Sequence, residues 1–372
     1  MDRFDVAVIG AGLMGSATAL SLGRRGVRTV LVDRFDPGHT RGASHGAVRI
    51  FRLSYPTLDY VRLARRALPS WRRLEDEAGE TLLVATGGID SGALARDCAL
   101  ALDDAGVGFG WLDEREAGER FPAIDFGGLG PVLFQPDGAV ALADRAVAAQ
   151  VRLAGAHGVA FRPGTTVLSV SSRRGATVIQ TDAGDIEAGV AVITPGPWAG
   201  RLLSETFGWS VPVRATLQVV AHFDPADPTL VASMPTFVEW VGPALVHYAV
   251  PPVGAAPGVK MGDHDPGPVV DPSDGPFAVD EERLEPIASY ASRRVPGVVP
   301  VAIAPETCLY SLTPDEDFIL DRVGDIVVGA GFSGHGFKFG PLIGDVLADL
   351  AMGEDPRLPP GRFSIARAAL RA

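Results

Sequence analysis

The sequence predicts an α/β chain, α+β overall, in which a nucleotide-binding domain assembled from discontinuous segments carries a strand-rich second domain with a large antiparallel or mixed sheet. Three observations predict it. The chain opens on a glycine-rich strand-to-helix turn, its spacing changes from helical to strand-like near residue 81, and strand-then-glycine grammar returns near residues 190 and 325.

The opening run Phe4-Asp-Val-Ala-Val-Ile-Gly-Ala-Gly-Leu-Met-Gly15 feeds a short apolar strand into Gly10, Gly12 and Gly15, and a second strand, Thr29-Val-Leu-Val, ends at Asp33. The distance is that of a Rossmann-like dinucleotide fingerprint. Gly10 permits the tight turn, Gly12 admits a pyrophosphate against bare backbone, and Gly15 lets the helix lie close on the strand. The unpaired N–H groups of the helix start suit a pyrophosphate, and the Asp33 carboxylate suits a ribose hydroxyl. An ADP-containing cofactor follows from this pattern; FAD and NAD both satisfy it.

The first helix runs past Ala17, Leu20 and Leu22 and stops near Gly26, a C-terminal glycine signal. Next comes a turn-rich loop from Phe35 to Arg52; were its end helical, His45, Arg49 and Arg52 would share a face, the alternative being a solvated basic loop. Leu63, Ala67, Trp71, Leu74 and Ala78 repeat at helical spacing, with Pro69 expected to kink or divide the helix and the arginines at 62, 65, 66, 72 and 73 forming a solvated face. From Thr81 follow short strands, an acidic helix from Asp113 to Arg120 and a turn at Gln135-Pro-Asp-Gly138. A helix from Asp144, read as its N-cap, to about Gly158 leads to strands 166–170, 177–181 and 190–194. Residues 213–312 are strand-rich, with Pro251-Pro252, Pro257-Gly258 and Pro266-Gly-Pro268 as breaks, and the chain closes on strand 325–329 and a helix in whose first turn Pro341 fits. The expected domains are 1–80, 145–213 and 313–372 for the cofactor, and 81–144 and 214–312 for the substrate.

Composition narrows the function class. At 372 residues and 47% hydrophobic the chain is long enough for two cores, and 33 basic against 45 acidic residues, a net charge of −12, argue against a nucleic-acid surface. The first residues run straight into a strand and no apolar stretch reaches membrane-spanning length, so a cytoplasmic protein with no membrane partner is expected. Two cysteines, Cys98 and Cys308, exclude a disulfide scaffold or a cysteine-rich metal site, and no metal is expected. By its surroundings alone each is a small buried hydrophobe, Cys98 in a helix.

Five motifs together carry a family resemblance: the fingerprint, Ser44-His45-Gly46 with Arg49 and Arg52, the Gln135-Pro-Asp-Gly turn, Thr307-Cys308-Leu-Tyr310-Ser-Leu-Thr-Pro-Asp-Glu316, and Gly331-Phe-Ser-Gly-His-Gly-Phe-Lys338-Phe. They resemble the monomeric sarcosine oxidase and N-methyltryptophan oxidase family of D-amino-acid-oxidase-like flavoproteins, over nearly the whole chain and most thinly between about 215 and 300. The resemblance implies FAD, bound covalently through Cys308. It implies cofactor contacts at Gly10, Gly12, Leu13, Met14, Gly15, Asp33, Arg34, Ser44, His45, Arg49, Val167, Trp198, Cys308, Gly334, Gly336, Phe337 and Lys338. It also implies that Arg52 and Lys338, with Tyr310, hold a substrate carboxylate, and that Arg49 is a cation beside the flavin ring.

The run Lys260-Met-Gly-Asp-His264 and Tyr248 match the family's oxygen-activating lysine and its companions, while for Lys260 a surface position in a hairpin is the competing reading. Lys260, Arg49, His264, Tyr248 and His45 are thus the candidate catalytic residues. Val48 departs from the family, where threonine is frequent. The implied activity is oxidation of a secondary, N-methyl amino acid by O2, giving hydrogen peroxide, formaldehyde and the free amino acid, in a monomer. The alternatives are a cyclic imino acid oxidase of the proline or pipecolate type, an amino acid dehydrogenase with another electron acceptor, and a non-enzymatic flavin-binding module.

Overall fold

The computed structural model describes residues 2–173, 175–242, 245–264 and 267–371; of the proline breaks, Pro266 lies outside them. Strand β1 (Asp2–Ile9) runs parallel between β2 (Thr29–Val32) and the strand Ile186–Ile193. Parallel Ala160–Arg162 and Ile326–Ala330 extend the sheet at its two sides, and antiparallel strands Val167–Arg173, Ala176–Thr181 and Ile319–Val323 complete it. Its central strands are apolar on both faces, as a parallel sheet covered by helices requires; Val6, Ala7, Val8, Val30, Leu31 and Val32 are all buried. Helix α1 (Leu13–Arg24) and the C-terminal helix Gly340–Met352 pack together on one face. Gly15 explains how α1 approaches: a Cβ there would stand 1.7 Å from the carbonyl oxygen of Gly10.

A second sheet of eight strands follows the order Val298–Leu312, Arg214–Pro225, Val259–Asp263, Val246–Val250, Thr236–Trp240, Gly88–Gly92, Val132–Gln135 and Gly110–Leu112. All of its pairings are antiparallel except that of Thr236–Trp240 with Gly88–Gly92. The period of two divides its faces. Ile89, Val219, Ala221, Phe223, Phe237, Ala249, Val259 and Met261 pack with Leu284, Ile287, Tyr290 and Ala291 of the helix Glu281–Arg294. Arg294 holds this helix to the sheet through two bonds to Glu239, of 2.9 and 3.0 Å, and Tyr290 donates to the same carboxylate at 2.8 Å. That helix was not anticipated from the strand-rich reading of residues 213–312.

A three-stranded sheet joins β3 (Val48–Phe51) to Ala139–Leu142 and Leu83–Ala85. The segment ending at Arg52 is therefore a strand rather than a helix, because β3 finds backbone partners in Ala139–Leu142. Asp144 is likewise not an N-cap: it sits in the first turn of the helix Ala143–Ala156, and its carboxylate accepts the Gly46 N–H at 2.8 Å. Pro69 does not divide its helix, which runs unbroken as α2 (Leu58–Ala78) with Trp71 fully buried. The acidic helix Glu114–Arg120 starts on an Asp113 capping box.

The Gly15 contact ranks two substitutions. Gly15→Ala should destabilise the protein by about 1–3 kcal/mol, as overpacking against fixed backbone does. Gly12→Ala, whose Cβ would meet only the Ser44 hydroxyl at 3.1 Å, should cost less. Urea unfolding of both variants checks the order.

Candidate active site

The fingerprint turn opens one wall of a cavity of about 880 Å³. Gly10, at φ +100°, takes the left-handed turn, and a side chain there would run into the Thr194 carbonyl at 2.3 Å. Asp33 is buried at the end of β2, where its carboxylate accepts the Ala11 N–H at 2.6 Å and the Phe35 N–H at 2.8 Å. These bonds hold the turn while leaving lone pairs toward the cavity. The Leu13 N–H donates to Ser44 Oγ at 3.1 Å, tying the helix start to the loop before β3. Farther along, Phe35 packs against Trp198 with ring centroids 5.7 Å apart, and Trp198 Nε1 donates to Ser273. Apart from Gly15, which supports the turn from within α1, and Lys338, every expected cofactor contact lines this cavity, including Arg34, Val167, Gly334 and Gly336.

The other end of the cavity meets the polar face of the second sheet. Residues 90 and 238, 238 and 248, 250 and 260, 260 and 222, and 218 and 308 are cross-strand partners, so Asp90, Tyr248, Lys260, His222, Cys308 and Tyr310 share the face opposite the apolar one. A second cavity of about 490 Å³ lies against this face, lined by Arg52, Tyr55, Trp240, Tyr248, Lys260, His264 and Lys338 among others. The two cavities share Arg49, Cys308, Tyr310, Gly334 and Phe337. Space for a Tyr310 ring beside Gly334 exists only because residue 334 has no side chain; a Cβ there would stand 2.4 Å from the ring.

Each polar group at this junction is held. His45 faces the carbonyls of Gly42 and Thr307 at 2.9 and 3.1 Å, linking the loop to the strand of Cys308, and burial together with Arg49 lowers its pKa. Arg49 donates to the carbonyls of Val48 and His45 and lies 3.9 Å from Cys308 Sγ. Lys338 donates to Tyr55 Oη at 2.8 Å and to the His335 carbonyl at 2.7 Å, and the Lys338 carbonyl accepts Trp71 Nε1 at 2.7 Å. Burial, then Arg52, pushes its ammonium far below the ordinary range. His264 Nδ1 is 3.3 Å from Tyr310 Oη, and burial, followed by the charges of Lys338 and Arg52, lowers its pKa to about 4, so it is neutral near pH 7. The Tyr248 and Tyr310 hydroxyls are pushed upward by burial and stay protonated.

Lys260 is not on the surface: it is 4% exposed in the strand Val259–Asp263. Burial and the nearby Arg49 lower its pKa to about 7. Cys98 is buried in the helix Ala95–Asp104, and burial raises its thiol pKa. Tyr55, Asp90 and Trp240 were missed in the sequence. For Asp90 a signal exists, since alternation about buried Ile89 turns its side chain to the other face.

The junction fits a flavin. Backbone approached through Gly10 and Gly12, a glycine opening at Gly334 and a thiol beside a guanidinium are the donors and space that a pyrophosphate at one end and a ring system at the other demand. Among the described residues no group of three or more His, Cys, Asp or Glu side chains is arranged to hold a metal, and no helix is long and apolar enough to cross a membrane.

Comparison with known proteins agrees with this geometry. The family described as FAD dependent oxidoreductase (DAO) matches residues 5–350. The chain is 32% identical to monomeric sarcosine oxidase of Bacillus sp. (strain B-0618), over 99% of this chain and 97% of that one. It is also 32% identical to peroxisomal sarcosine oxidase of Homo sapiens, over 98% and 96%. Among solved structures, the open form of NikD, an unusual amino acid oxidase essential for nikkomycin biosynthesis, superposes with a TM-score of 0.86 at 26% identity over 98% of both chains. A fingerprint turn that leads to a flavin-shaped junction, in a chain matched from end to end by such proteins, is that of an FAD-dependent oxidoreductase, and the chain belongs to the DAO family.

Proposed function

We propose that this protein oxidises the C–N bond of a secondary amino acid, foremost an N-methyl amino acid of the sarcosine type, and passes the electrons to O2, acting as a monomer. The observation that carries the reading is the meeting of the two cavities at Arg49 and Cys308, with Arg52, Lys338 and buried Lys260 together lining the second of them. Two relatives bear the name sarcosine oxidase, which supports the substrate class. Segments 1–80, 145–213 and 313–372 would hold FAD, whose ring, when bound, accepts two electrons from the amine and gives them to oxygen. Cys308 would hold it through a thioether, and Arg49 and the start of helix Gly340–Met352 would face the ring's electron-rich edge.

The chain's own groups do the rest. Arg52 and Lys338 hold a carboxylate, a guanidinium fork and an ammonium in a site drained of water. His264 and the two tyrosines present neutral polar groups and so add no further charge to the cations around the cavity. Lys260 keeps positive charge where oxygen takes up electrons, and the weak solvation of its ammonium strengthens that field. Peroxide release by the purified yellow protein, measured against N-methyl, cyclic and D-amino acids, tests the whole reading; no peroxide from any secondary amino acid would end it.

Acid precipitation should keep the yellow colour with the protein, and Cys308→Ser should free it into the supernatant. Free FAD from the unmutated protein would refute the thioether.

Arg52→Ala should raise the KM for the amino acid at least ~30-fold while the visible spectrum persists, because a carboxylate loses a buried charged partner. N-methyl amines without a carboxylate, turned over equally well by the parent, would show that the clamp is unused.

Lys260→Met keeps the aliphatic stem and removes the charge. Loss of one preorganised stabiliser of ~3–4 kcal/mol should slow reaction of the reduced protein with O2 on the order of a hundredfold, with anaerobic bleaching by substrate little changed. With a pKa near 7 the ammonium is present at lower pH and lost at higher pH, so the parent's oxygen reaction should slow as pH rises through about 7. The variant's profile should be flat there; stopped-flow measurement of each half-reaction separates the outcomes.

A further inference from the structure

Asp90 is 2% exposed and belongs to none of the roles described so far, yet it is a hub for the substrate cavity. Its Oδ1 accepts Arg52 Nη1 at 2.9 Å and Trp240 Nε1 at 3.3 Å, and its Oδ2 accepts the Ser54 hydroxyl. Arg52 Nη1 also donates to the Ser54 carbonyl at 2.5 Å, so both protons of that nitrogen are taken by the protein. Rings cover the guanidinium: its carbon lies 4.6 Å from the centroid of Tyr55 and 5.2 Å from that of Trp240. One corner of the fork is thus pinned and its plane set, leaving Nε and Nη2 outside these bonds on a side chain that lines the cavity.

A carboxylate this close also offsets the charge of Arg52. Without it a largely buried guanidinium would stand uncompensated beside Lys338, and an arriving anion would become its counter-ion. We propose that Asp90 is a positioning and specificity-determining residue: it aims the Arg52 fork and balances its charge, and so sets how strongly this cavity prefers an anionic ligand to a neutral one of the same shape. The proposal rests on Arg52 being the group that meets a ligand's carboxylate.

The test is calorimetric binding of phenylacetate and phenylacetamide, which differ in charge and little in shape, to the FAD-loaded protein, with kcat and KM for an N-methyl amino acid measured alongside. Asp90→Asn should bind phenylacetate about tenfold more tightly, as removal of a close like charge does, and phenylacetamide within about twofold of the parent. Its kcat should fall because the fork is less firmly aimed, giving a tighter complex with slower turnover. Equal weakening of both ligands would mean that Asp90 merely supports the fold, and would overturn the proposal while leaving the carboxylate clamp intact. Arg52→Lys with undiminished phenylacetate affinity would overturn the clamp itself, and this inference with it. Should Asp90→Asn not fold, Asp90→Glu carries the test: it keeps the charge and displaces it, so the preference for phenylacetate over phenylacetamide should stay at the parent's value while kcat drops. Parental kcat and KM in Asp90→Glu would overturn the aiming role.

Discussion

Positive charge taken out of water at the seam between two sheets is the constraint on which the rest of this structure depends. Lys260, Lys338, Arg49 and Arg52 converge there in a chain whose overall charge is −12, so the positive field is local and owes nothing to composition. Each cation is accommodated differently. Arg52 has a carboxylate, Arg49 has backbone carbonyls, Lys338 has a phenol and a carbonyl, and Lys260 responds to burial with a pKa brought down to about 7. Desolvation that costs so much in the resting protein is what makes these groups respond strongly to an incoming anion or to charge developing nearby.

The second sheet makes the seam possible by keeping two jobs on two faces. Its apolar face closes on the helix Glu281–Arg294 and supplies the core, while the other face is released from packing and can carry Asp90, Tyr248, Lys260 and Cys308. The long strand Val298–Leu312 ties this face to the nucleotide sheet, since the Thr307 carbonyl meets His45 and Tyr310 fits beside Gly334. A shift of one residue in that strand would exchange the faces and remove Cys308 and Tyr310 from the junction together.

Local pattern carried far around the first sheet, where apolar strands, glycines and helix signals act within a few residues of one another. It carried less far where partners are remote. The segment of Arg49 became a strand because Ala139–Leu142, some ninety residues on, offered a ladder. Helix Glu281–Arg294 was hidden in a stretch read as strands, its amphipathic face meaningful only against the sheet it covers. Lys260 could be a solvated hairpin lysine on local grounds, and burial was decided by flanking strands at 214–225 and 246–250.

By itself the sequence determined the fingerprint turn, the parallel sheet it enters and membership in a flavoprotein family, because each depends on short-range sterics, hydrophobic period and motif spacing. Tertiary structure alone decided that Asp90, Tyr55 and Trp240 surround Arg52, that Asp144 bonds the loop at Gly46 rather than capping a helix, and that two cavities share a wall at Cys308. The physical reason is that charge balance and desolvation depend on which groups end up within a few ångströms in space, and strand pairing brings together residues that no local pattern relates.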